Sequence, residues 1–153
     1  MLLRNSGHPS RRGATMVESA LVMSVTFMLL IGVLAIGFGV FRYQQVAALA
    51  REGARYASVH GGEYAAGTGQ PAATPADVYN QAILPQAIGL DPNQLTYSVT
   101  WAGANKMPVY LSDPANNVYR RNTITVTVTY RWIPEAYLGG MNLSSTSVME
   151  MSY

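Results

Sequence analysis

The chain has 153 residues, of which 12% are charged, with a formal net charge of +2 and no cysteine. The missing cysteine excludes disulfides, thiolate metal sites and cysteine nucleophiles, and the sparse charge, with Arg4, Arg11 and Arg12 gathered at one end, argues against a nucleic-acid partner. At this length the chain accommodates an anchor and one small domain, because the part beyond residue 60 is near the lower end for a self-sufficient core.

Residues 1–12 are short, polar and basic and read as a cytoplasmic leader, since arginines beside a first span tend to stay inside. Residues 19–41 follow without a charge and are mostly Leu, Val, Ile, Met, Phe, Ala and Gly. At about 1.5 Å per residue this run makes a helix of roughly 35 Å, enough to cross a hydrocarbon core of about 30 Å. Arg42 closes the run, and Glu18 places a carboxylate at its mouth. A cleaved secretory signal with its site at Ala48-Leu49-Ala50 is the competing reading. Its apolar core would be far longer than the usual stretch of about 7–15 residues, and Arg42 intervenes before the site.

The helical pattern does not end at Phe41. Residues 42–59 lack proline and place Val46, Leu49, Gly53 and Tyr56 on one side, so one helix is expected from about Ala14 to about Val59. Along it Ala35 and Gly39, Ala50 and Ala54, and Gly53 and Ala57 form pairs of small residues spaced by four, the pattern that lets helix backbones approach closely in membranes. His60-Gly61-Gly62 ends the helix, and residues 60–74 are expected to be a linker. A short helix then opens with Thr74 as N-cap, Pro75 at the first helical position and Asp77 three residues after the cap. Val78, Tyr79, Ala82 and Ile83 give it an apolar side, and Pro85 bends or ends it before the Asp91-Pro92-Asn93 turn.

From Leu95 the period changes to two. Leu95, Tyr97, Val99 and Trp101 alternate with Thr96, Ser98 and Thr100, and the pattern returns more strongly over 122–132. There Ile124, Val126, Val128, Tyr130 and Trp132 are expected to face a core, while Thr123, Thr125, Thr127, Thr129 and Arg131 face out. A weaker third strand lies in 143–153 after Gly139-Gly140. The connection 102–121, with Pro108 and Pro114, reads as a surface excursion. The fold class is therefore α+β: a long transmembrane helix (span about 19–41) that continues as an amphipathic helix to 59, a linker over 60–74, and a head over 75–153 with a short helix and an antiparallel sheet of about three strands.

No catalytic constellation accompanies this layout. His8 and His60 have no metal-ligand spacing, and the glycines from Gly61 to Gly69 follow a helix rather than a strand and lack the lysine of a phosphate loop. Asp113, Asn116 and Asn117 offer oxygen ligands to calcium but read better as turn chemistry. No enzymatic activity, cofactor or bound metal is expected, which disfavours an exported hydrolase.

The order Arg12-Gly13, then Glu18, then a long apolar helix running into Ala50-Arg51-Glu52-Gly53-Ala54-Arg55-Tyr56-Ala57 resembles the TadE-like pseudopilins, minor pilins of tight-adherence, type IV-like pilus systems. The match is specific over about 11–59 and looser over the threonine-rich strand and the last strand. The resemblance implies that residues 1–13 are a class III signal peptide, that a prepilin peptidase cuts between Gly13 and Ala14, and that Glu18 is the carboxylate at the fifth mature position. Ala14, where many type IV pilins carry Phe, and Ser19, where major pilins often carry Tyr, depart from the pattern. It further implies a pilin-like head outside the bacterial inner membrane, partners among other pilins and the pilus assembly platform, and a role in pilus assembly and surface adherence. The alternative is a permanently anchored extracytoplasmic binding domain that never enters a filament.

Overall fold

The computed structural model describes residues 12–103, 105, 110–113, 118–133 and 139–152. The expectations for Arg4, His8, Arg11, Pro108, Pro114, Asn116 and Asn117 fall outside them. The chain divides into two compact units, Met1–Phe38 and Gly39–Tyr153.

Helix α1 spans Arg12–Val59. Within the first unit its side chains from 13 to 30 are all exposed. Within the apolar run, Ser24 and Thr26 donate to the carbonyls of Ala20 and Val22 at 2.9 and 2.8 Å, so neither presents an unsatisfied donor along the apolar surface.

The second unit begins with the C-terminal part of the same helix. Val46, Leu49, Ala50, Ala54 and Ala57 recur by threes and fours and are buried, so this stripe is one wall of the core. The opposing wall is a three-stranded antiparallel sheet in the order β1-β4-β5, formed by Leu95–Trp101, Thr123–Trp132 and Met141–Glu150. In β4 Ile124, Val126 and Val128 are fully buried and Tyr130 nearly so, while the threonines between them lie on the other face, where Thr127 and Thr129 pair their hydroxyls with Thr146 and Ser144 at 2.8 and 2.9 Å. In β1 Leu95 and Val99 are buried as expected. Tyr97 stays 38% exposed, because on an edge strand it can reach only Tyr79, on which it stacks at 4.5 Å.

The capping signature at Thr74 is realised in full. Asp77 N donates to Thr74 Oγ1 at 3.3 Å, and Asp77 Oδ2 accepts from Thr74 N and Oγ1 at 2.9 and 2.7 Å, bonds that hold the Asp77 carboxyl below its ordinary range. The helix so capped, α3, is α-helical only over Pro75–Val78, continues as a π-helical turn over Tyr79–Ile83, and ends in a 3-10 turn over Leu84–Gln86. Pro85 has no N–H to give the carbonyl four residues back, and the wider turn lets Leu84 N–H bond to Tyr79 O instead. Val78 and Ile83 project from this stretch into the core.

Two segments differ from the sequence expectation. The linker contains a helix, α2, over Gly62–Thr68, closed by Gly69 at φ 73°. The excursion after β1 contains a hairpin of β2, Tyr110–Asp113, and β3, Val118–Arg121, a separate two-stranded sheet. Strands of four residues are too short for their alternation to stand out in a sequence rich in turn formers.

The end of the chain is tied back. Met151 N donates to Asn122 O at 2.9 Å and Ser152 N to Ser58 O at 3.0 Å, while buried Asn122 accepts from Gly103 N at 2.8 Å.

Candidate functional site: the N-terminal segment of the long helix

Gly13, Ala14 and Glu18 lie in the first two turns of α1, all exposed. The Gly13–Ala14 bond is thus inside the first turn, not ahead of it as a helix start near Ala14 would have it. The first four N–H groups of any helix lack intrahelical acceptors, and glycine is worth about 1 kcal/mol less than alanine in a helix. This turn is therefore the cheapest part of α1 to unwind. Among the described residues, a Cβ at Gly13 would meet nothing within 4 Å.

Glu18 opens the apolar stretch. Among the described residues, Gly13–Val59 is the helix long and apolar enough to cross a membrane, and its most apolar window, with mean hydropathy 2.5, is not buried by any other part of the chain. Leu21, Met28, Leu29, Val33 and Ile36 are each more than 60% exposed. In water that surface would be a large unpaid hydrophobic cost. A bilayer is the solvent it suits.

The small residues fall into two groups. Ala35, in the first unit, is half-exposed. The others contact the chain itself: Ala50, Ala54 and Ala57 are buried in the core, and a Cβ on Gly53 would lie 3.2 Å from Ile83 Cδ1 and 3.2 Å from Val126 Cγ1. A Cβ on Gly39 would lie 3.0 Å from the Trp132 ring. Their smallness lets the second unit's own sheet and 79–83 turn approach the helix.

The segment 50–57, the most distinctive part of the resemblance, carries an ion pair between Glu52 and Arg55, with Arg55 Nε 3.0 Å from Glu52 Oε2. The hydrogen bond from Arg55 holds the Glu52 carboxyl below its ordinary value and raises the guanidinium's. One turn on, Tyr56 stacks on His60 at a centroid distance of 4.0 Å, and Tyr64 meets His60 at 4.7 Å with its ring tilted by 59°. His60 Nδ1 donates to Tyr56 O at 2.8 Å, and Tyr56 Oη donates to Gln81 Oε1 at 2.8 Å; burial, with the charge of Asp77 behind it, pushes the Tyr56 hydroxyl's pKa up. The open cleft of about 210 Å³ beside these rings is small, and their faces are occupied by one another, so they brace the end of α1. Spacing by four was the available signal for this stack. Nothing in the sequence announced that Arg42 would reach Gly89.

The family model for TadE-like proteins matches residues 13–55. Neither a curated protein nor a solved structure matches the chain. The fold is an α+β layout with, among the described residues, one candidate membrane span. Over residues 13–55 the resemblance to the TadE-like proteins of tight-adherence pili holds. That family is pilus-associated and structural rather than enzymatic.

Proposed function

We propose that this protein is an assembly subunit of a tight-adherence pilus: a pseudopilin inserted once in the bacterial inner membrane, leader inside and head outside, freed of residues 1–13 by a prepilin peptidase and handed to the pilus assembly platform. The observation that carries this reading is the coincidence of the TadE-like match, residues 13–55, with a helix whose first part is uncovered and whose last part is built into the head. A subunit with that division can leave the bilayer and exchange lipid for neighbouring helices without disturbing its own core.

In this reading Glu18 has the assembly role. An acidic side chain costs about 2.5–3.5 kcal/mol at the centre of a span and less near the interface. Near a helix N-terminus it interacts favourably with the helix dipole, and once Gly13 is removed the new Ala14 amine supplies a positive partner in the same or a neighbouring subunit. Glu18→Ala separates insertion from assembly. The expected outcome is unchanged or greater membrane abundance with loss of surface pili and adherence. Unchanged piliation would leave Glu18 without that role and favour the permanently anchored binding domain.

A further inference from the structure

Two contacts within the Gly39–Tyr153 unit bring distant parts of the head to the same level of α1. At the end of β4 the Trp132 ring lies against Gly39, and Trp132 is paired across the sheet with Met141. On another side, Arg42 Nη1 donates to Gly89 O at 2.8 Å and Gln45 Nε2 to Ile88 O at 3.4 Å, which fixes the turn carrying Ile88 beside helical positions 42–45. The sheet end and this turn therefore form the base of the head, where the uncharged run 19–41 ends.

Among its described residues that base exposes three large apolar side chains. Ile88 is 79% exposed, more than any other large hydrophobic residue described, and Ile133 and Met141 are 55% and 51% exposed. A helical run of 23 residues at about 1.5 Å each slightly exceeds a hydrocarbon core of about 30 Å, and the headgroup layers add about 5–7 Å on each side, so Gly39 falls at the edge of the hydrocarbon and Arg42 within the headgroup layer. Tryptophan and arginine side chains favour that layer, and Trp132, Arg42 and exposed Arg131 are all at this end. Val148, 59% exposed, sits opposite Thr125 near the far end of the sheet.

We infer that the base of the head is a lipid-contacting surface: Ile88, Ile133 and Met141 insert into the interface of the leaflet through which α1 emerges, with Trp132 at headgroup depth and Arg42 and Arg131 beside the lipid phosphates. The head rests on the bilayer, and entry into a filament must break this contact as well as extract the span. The inference rests on the membrane-inserted reading of residues 19–41.

The absence of native cysteine makes single-site spin labelling direct. Full-length Met28→Cys, Ile88→Cys, Ile133→Cys and Val148→Cys variants, each nitroxide-labelled in phosphatidylcholine–phosphatidylglycerol vesicles, are compared for relaxation by oxygen, which concentrates in lipid, and by a water-soluble nickel complex. The expected result is oxygen-dominated relaxation at 28, 88 and 133 and nickel-dominated relaxation at 148. Lipid exposure at 28 with nickel access at 88 and 133 equal to that at 148 overturns the inference and leaves the span intact. Nickel access at 28 overturns both. Labels at 88 and 133 shielded from both reagents, with spin–spin broadening between copies, assign the surface to a second copy and equally overturn it.

Discussion

Gly53 shows at single-residue scale how this helix serves the head. Adding a Cβ there brings it to 3.2 Å from Ile83 and from Val126; the Ile83 terminus can give way, but Val126 is held in the middle of the central strand. Gly53→Leu is therefore expected to lower the stability of the head by about 1–3 kcal/mol, the usual cost of overpacking. Gly67→Leu, with nothing within 4 Å of its Cβ, should stay within about 0.5 kcal/mol of the parent, as surface substitutions do. Thermal unfolding of both variants checks the contrast. The sequence singled out Gly39, Ala50, Gly53, Ala54 and Ala57 as small residues spaced by four; what approaches them was not legible, because a small residue admits any close neighbour equally, whether another helix or the chain's own sheet.

Among the elements, β4 was the most legible. Its period of two, with β-branched residues from Thr123 to Thr129, assigned the two faces. Val126→Asp would place a carboxylate at a fully buried site with no partner on the apolar face, and is expected to cost about 4 kcal/mol or more, enough to unfold a head of this size. Thr127→Asp points the other way, loses one hydroxyl pairing with Thr146, and should cost about 1 kcal/mol. Denaturant unfolding distinguishes them, and equal losses would contradict the strand's placement. The capped start of α3 was equally readable, because Thr74, Pro75 and Asp77 act through local bonds. Its π-helical turn was not readable, since that depends on how far the chain widens to accommodate Pro85. The β2–β3 hairpin was missed for want of length.

For the whole molecule, the second compact unit, Gly39–Tyr153, takes in the C-terminal part of the long helix together with the sheet. Periodicity showed that Val46, Leu49 and Gly53 share a side, but no local signal says that the sheet, some eighty residues later in sequence, will cover it. A fragment starting at Tyr43 is expected to fold with a cooperative thermal transition, whereas one starting at Gly61 has lost a wall of its core and should be unfolded, which circular dichroism will report. The central claim is that this well-formed head is delivered to a pilus by a processed helix. Its most direct test is the N-terminal residue of the protein after co-expression with a prepilin peptidase, read by intact mass beside a Gly13→Leu variant. The expected result is a chain beginning at Ala14 from the parent and an uncut chain from the variant. A parent that keeps its leader, or a Gly13→Leu chain still trimmed to Ala14, would contradict it.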